Sequence, residues 1–205
     1  MTFRRLAGKR NAPGNRLGLT ENPNFDQPAV RQPNRMIIRV ADMGDALPLS
    51  QLAMETYTTA FGRSMSAADL AAQLERHLTL DSFRRMLEED GFLLAEEEGR
   101  LSGYVQFGWA VPDGGFFFGT DQELKRLYVL AEFQNRGVGT ALMETALAHP
   151  TLRTAPRIVL DVWEHNEGAR RFYERFGFEA AGWRVFEVAS GEEMSRDLVM
   201  VRQDK

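Results

Sequence analysis

Leu127-Tyr-Val-Leu-Ala-Glu-Phe-Gln-Asn-Arg-Gly-Val-Gly-Thr140 reads as a strand that passes through a short loop into a helix opened by two glycines. The first amide N–H groups of a helix have no acceptors of their own, and the helix dipole favours negative charge there. Glycine lets an anion approach that backbone closely. The stretch therefore predicts an anion cradle at Gly137, Val138, Gly139 and Thr140, with Gln134 and Arg136 beside it. Two familiar cradles do not fit. The phosphate loop of NTPases needs Gly-Lys-Ser or Gly-Lys-Thr, and the dinucleotide fingerprint needs a third small residue where Leu142 stands.

Downstream, Leu160-Asp-Val-Trp-Glu-His-Asn-Glu-Gly-Ala-Arg-Arg-Phe-Tyr-Glu-Arg-Phe-Gly-Phe178 is a second strand that passes into a helix. Asn166 and Tyr173 lie two turns apart at about 3.6 residues each, so they project from nearly the same side. Ala169, Phe172 and Phe176 supply a neighbouring apolar stripe. Taken singly, Asn166 reads as a helix N-cap and Tyr173 as a half-buried aromatic. Their pairing with the Gln-x-x-Gly-x-Gly element points to one site.

Together these segments resemble the GNAT superfamily of N-acetyltransferases, over residues 37–202. The resemblance implies that Gln134, Arg136, Gly137, Val138, Gly139 and Thr140 hold the pyrophosphate of acetyl-CoA. It implies that Leu127 and Val129 offer backbone groups to the pantetheine arm, that Asn166 contacts the cosubstrate, and that Tyr173 protonates the departing thiolate. Glu55-Thr-Tyr-Thr-Thr-Ala-Phe61, Val162-Trp163-Glu164 and Asp197-Leu-Val-Met200 look more narrowly like the PaiA-type polyamine acetyltransferases.

Working outward, Ile37 to Val40 is a short β-branched run, and a helix follows as far as Phe61. Ser66 with Asp69 opens a second helix, and Asp81 is placed to cap a third that stops at Gly91. From Phe92 the pattern becomes a meander with turns at Glu98-Gly99 and Pro112-Asp113-Gly114. Strand, helix, strand and helix then alternate: 123–130, 137–148 (ending before Pro150), 158–162 and 166–176. Residues 178–188 and 197–201 close the chain as strands, with a hairpin around Ser190-Gly191. The expected fold is α/β, a single GNAT-like domain at 36–205 with a mixed, mostly antiparallel sheet flanked by helices.

Residues 1–35 carry seven basic and two acidic groups among Pro13, Pro23, Pro28 and Pro33, a local charge of +5. They read as a flexible N-terminal arm, and the remainder holds 18 basic and 27 acidic groups, or −9. That balance argues against nucleic acid as a partner, since only the arm would favour it. No apolar run is long enough to cross a bilayer, so a cytoplasmic protein without membrane contact is expected. The absence of cysteine excludes a thiol nucleophile and thiolate metal sites, and no other ligand spacing argues for a metal. Direct transfer within a ternary complex is therefore the expected route. The expected partner is a small-molecule amine acceptor, and a homodimer is left open.

An alkylammonium, with a pKa near 10.4, must lose a proton before it can attack a thioester. If 123, 125, 127 and 129 share one strand face, Glu123 faces the cleft with Leu127 and Val129 and can act as the base. By resemblance, Glu123 also matches the place of a base glutamate, although a water relay would serve too. His165 is a weaker candidate, while His77 and His149 carry no mark of a base or ligand. A noncatalytic acyl-CoA binding module would keep the glycine cradle and lose the chemical groups. The presence of both Tyr173 and Glu123 favours an enzyme. The acids Glu55, Asp121 and Glu164, with the aromatic Tyr57, Phe61 and Trp163, suit a polycationic acceptor. Deleting residues 1–35 should leave the melting temperature and activity of the remaining domain close to those of the whole chain, measured by a thermal scan and an activity assay.

Overall fold

The computed structural model describes residues 36–113, 115–187 and 193–203. The expected arm at 1–35 and the turn at Ser190-Gly191 lie outside the described residues. One sheet of seven strands organises the rest, in the order β1-β2-β3-β4-β5-β7-β6. The strands are β1 (Ile37–Val40), β2 (Gly91–Glu97), β3 (Arg100–Trp109), β4 (Gln122–Val129), β5 (Arg157–Trp163), β6 (Glu179–Glu187) and β7 (Glu193–Gln203). Every neighbouring pair is antiparallel except β4 and β5. The expected α/β domain with a mostly antiparallel sheet is the one observed.

The helices are α1 (Ala46–Phe61), α2 (Ala67–His77), α3 (Leu80–Glu89), α4 (Val138–Ala148), α5 (Pro150–Arg153) and α6 (Glu167–Arg175). Ser66 caps α2 as read from the sequence, accepting from the Asp69 N–H at 3.1 Å. The cap of α3 is not Asp81 but Thr79, whose extended backbone and hydroxyl, accepting from Ser82 N–H at 3.2 Å, meet the geometry an N-cap needs. Asp81 sits in the first turn instead. α4 ends before Pro150, as expected. Pro150 then opens the short α5, because a first helical residue has no N–H bond to lose.

Side chains sort the helices onto two faces. Arg126 of β4 reaches Met86 of α3, and Tyr104 of β3 packs edge-on to Phe83 of α3, so α1–α3 cover one face. A Cβ at Gly103 would meet Leu142 of α4, and one at Gly139 would meet Phe172 of α6 and Val129, so α4 and α6 cover the other. Leu142 is fully buried between α4 and the sheet. Leu142→Ala should destabilise the fold by about 2–5 kcal/mol through lost burial and a residual cavity. Urea unfolding would show this as a lower midpoint with an unchanged slope.

Candidate active site

β4 and β5 are paired only at Gln122↔Ile158 and Glu123↔Val159. Beyond that point β4 stays with β3 while β5 stays with β7 as far as Trp163↔Asp197, so the two parallel strands part. A β-bulge drives the divergence. Gln106 faces Arg126 and Phe107 faces Leu124, which leaves Lys125 unmatched, and such an insertion bends and twists its strand. The gap is a cleft of about 260 Å³ lined by residues 124–131 and Gln134 on one side. Asp161, Val162, Trp163, Asn166, Ala169 and Tyr173 line the other, and α1 closes it through Glu55, Thr56, Thr59, Ala60 and Phe61.

Leu130 N–H donates to Ser102 of β3 at 2.9 Å. Backbone groups alternate in direction along a strand, so those of Leu127 and Val129 turn away from β3 towards the cleft. The Val129 carbonyl accepts from Gln134 Nε2 at 3.1 Å. At the mouth of the cleft, Gly137 caps α4 with φ 88° and contributes no side chain. The first amide bonded back within α4 is that of Ala141, to Gly137, which leaves those of Val138, Gly139 and Thr140 without helical acceptors. The Val138 side chain itself is buried in the core, so only its backbone is available. Arg136 pairs with Glu97 at 3.0 Å and lies over the Phe133 ring. That contact holds its charge beside the helix end.

Asn166 serves first as the N-cap of α6, accepting from Ala169 N–H at 3.0 Å, while remaining on the cleft wall. Tyr173 lines the same wall, and burial pushes its phenol up. It is therefore a neutral proton donor at physiological pH. Glu123 is not among the lining residues. The reading that 123, 125, 127 and 129 share a face assumed unbroken alternation, and the bulge at Lys125 shifts the parity. Glu123 lies beside Val159, at the closed end where the strands are still joined.

Two carboxylates do line the cleft: Glu55 on α1 and, on the strand wall, Asp161, two residues beyond Val159. Its Oδ2 accepts from Arg184 at 2.7 Å, while its Oδ1 is shielded from solvent and has no partner. Burial, reinforced by Asp197, Glu123 and Asp113, outweighs Arg184 and raises it to about 7. Asp197 is raised to about 6, also chiefly by burial, and burial raises Glu123 too. Trp163 packs against Phe61 with the rings tilted and their centres 5.6 Å apart, and its indole N–H is buried without an acceptor among the described residues. The sequence signal for Asp161 was a lone acid inside an apolar strand, Ile-Val-Leu-Asp-Val-Trp.

The model of the acetyltransferase (GNAT) family matches residues 48–178. The chain belongs to the GNAT acetyltransferase family. It is 30% identical over 165 residues to an uncharacterized N-acetyltransferase of Mycobacterium bovis, covering 78% of this chain and 99% of that one. An N-acetyltransferase from Lactobacillus delbrueckii is 27% identical over 73% of this chain and 86% of its own length. Among solved structures, the PaiA N-acetyltransferase of Thermoplasma acidophilum in complex with coenzyme A shares the fold. Its TM-score is 0.64 at 18% identity, over 83% of this chain and 99% of that chain. This GNAT chain is thus an N-acetyltransferase, with acetyl-CoA as its cosubstrate. The parted strands and the uncapped glycine-led start of α4 fit a slender arm ending in a pyrophosphate.

A carboxyl raised to about 7 binds its proton more tightly in the folded than in the unfolded chain. The stability it contributes is complete below the ordinary carboxylate range and is lost as pH rises through 7. Asp161→Asn, which keeps an oxygen for Arg184, should therefore be more stable than wild type at about pH 8, with the gain shrinking towards about pH 4. Urea midpoints at the two pH values measure it.

Proposed function

We propose that this GNAT enzyme acetylates a primary amine of a small cationic molecule, with polyamines as the leading class. The observation that carries the reading is the half-free carboxylate of Asp161 in the cleft, with Glu55 on the facing helix and Asp197 close enough to raise it. The PaiA-like segments point the same way, as does the coenzyme A bound by the Thermoplasma fold neighbour for the cosubstrate. Acetyl-CoA, when bound, supplies the activated acyl group.

In this reading the amides of Val138, Gly139 and Thr140, with Gln134, Arg136 and the cap at Gly137, hold the pyrophosphate. The backbone of Leu127 and Val129 and the amide of Asn166 hold the pantetheine arm. Asp161 takes a proton from the acceptor ammonium, which frees the lone pair for attack, and passes it to solvent after transfer. Glu123, one residue pair deeper, keeps that carboxyl's affinity for a proton high rather than touching the amine. A backbone N–H at the β4 edge near Val129 donates to the carbonyl oxygen as charge develops there. Tyr173 gives its proton to the leaving sulfur and recovers one from solvent.

The test is a panel of amines with acetyl-CoA, followed by CoA release. Spermidine should turn over faster than neutral or anionic amines, and its KM should rise with salt. Efficient acetylation of an amino acid or a protein N-terminus in preference to any polyamine would overturn the acceptor class. The wild-type kcat/KM should climb with pH to a plateau above about 7, and Asp161→Asn should lose that limb along with about 10²-fold or more of the rate. Tyr173→Phe should lower kcat while leaving KM for acetyl-CoA nearly unchanged.

A further inference from the structure

On the other side of α1 from the cleft lies a second cavity, of about 240 Å³. Ala53 and Tyr57 of α1, Gln73 and His77 of α2, Leu78, and Tyr104, Arg126 and Tyr128 of the sheet line it. Arg126 and Tyr128 also line the cleft, so these two residues are the ones the two spaces share and form the partition between them. The polar groups of this cavity are conspicuously unspent. The Tyr104 hydroxyl is wholly buried and has no hydrogen-bond partner among the described residues. Among the described residues, the side chains of Tyr57, Gln73, His77 and Tyr128 make no hydrogen bond to protein. Arg126 bonds the Gln106 amide oxygen and the Met86 sulfur, and no carboxylate among the described residues pairs with it.

Arg126 lies within electrostatic reach of the phenols of Tyr57, Tyr104 and Tyr128 and of His77, while Asp197, outside the cavity lining, acts on Tyr57 and Tyr128 in the opposite sense. Burial keeps the phenols protonated and, with Arg126 and Arg76, holds His77 below its ordinary value, so every one of them retains a proton to donate at neutral pH. No acid lines the cavity. A buried polar group left without a partner costs about 1–3 kcal/mol, and the Tyr104 hydroxyl is such a group; with a guanidinium that no described carboxylate pairs beside it, it calls for an acceptor-rich occupant. Neutral sugars and cations are poorly matched, since the lining offers one fixed positive charge and a surplus of donors.

We propose that this cavity is an oxyanion subsite, taking a carboxylate or a comparably small oxyanion on Arg126 and the phenols of Tyr104, Tyr57 and Tyr128. The group has two sources: the acceptor's own anionic end, reached past the Arg126 and Tyr128 partition, or a free anion bound beside the acceptor. The site stands on the cavity's own groups and does not depend on the acceptor class proposed above.

The full chain is melted in chloride, acetate and inorganic phosphate, each at about 20 mM and equal ionic strength, with and without acetyl-CoA. CoA release is then compared for 1,4-diaminobutane and 4-aminobutanoate, which differ in one terminal group. A free-anion occupant raises the melting temperature by several degrees over chloride while the diamine remains the better acceptor. An acceptor carboxylate gives 4-aminobutanoate the higher kcat/KM by about tenfold or more. In either case Arg126→Gln should abolish the effect. Tyr104→Phe removes a hydroxyl with no protein partner, so it should fold at least as stably as wild type in chloride and lose much of the anion effect. The proposal is overturned if neither anion shifts the melting temperature and the diamine is preferred equally by wild type and Arg126→Gln. Anion-dependent stabilisation without CoA release from any amine would leave the subsite standing and sink the acceptor reading instead.

Discussion

A single extra residue in β4, held by a buried ion pair, separates the two strands on which the enzyme depends. Lys125 has no partner across β3, and its ammonium reaches Asp90 at 2.8 Å, with both side chains largely shielded from water. Asp90 also accepts from Gln106 Nε2 at 2.6 Å, which satisfies the other carboxylate oxygen. Gly108 makes this possible, because a Cβ there would fall 2.1 Å from Asp90 Oδ1. Breaking such a pair by deleting one partner leaves a buried charge, which is strongly unfavourable, so the bulge is fixed rather than optional. A strand bent at that point cannot follow β5 beyond Glu123, and the cleft is the result.

The same divergence sorts the electrostatics. The start of α4 presents unbonded amides, the positive end of its dipole, while Arg136 and Arg100 beside it pair with Glu97 and Glu132. At the other end Asp161, Asp197 and Glu123 are crowded near Arg184, and burial raises all three. The two ends of one space thus differ in charge and in burial. Arg184 does more than neutralise. It occupies one oxygen of Asp161, pairs with Asp113 at 3.3 Å and lies over Phe117, which fixes the direction in which the other oxygen of Asp161 faces.

Arg126 links this machinery to the second cavity. It follows the bulge residue immediately, so the bend that opens the cleft also turns the guanidinium onto the α1–α3 face with Gln106, Tyr104 and Tyr128. Both spaces thus descend from one irregularity in one strand.

Much of the fold was legible because its signals are local. The two-residue turn at Glu98 and Gly99 adopts positive φ at both positions, Gly137 takes the left-handed cap, and Ser66 caps α2 through its own side chain. Tyr173 and Asn166 reach the cleft together because helical spacing and strand-to-helix order are written in the chain. Parity across β4 was not legible. Alternation predicted Glu123 on one face with Leu127, and one unmatched residue, stabilised by Asp90 from another strand's threshold, broke that parity; Asp161 rather than Glu123 is the strand acid that lines the cleft. The sequence by itself determined the elements, the glycine-led start of α4 and the helical pairing of Asn166 with Tyr173, since each rests on neighbours within a few turns. Only the tertiary structure decided which carboxylates line the cleft and which polar groups, among the described residues, go unpaired, because burial and charge at a point are summed over strands and helices far apart in the chain.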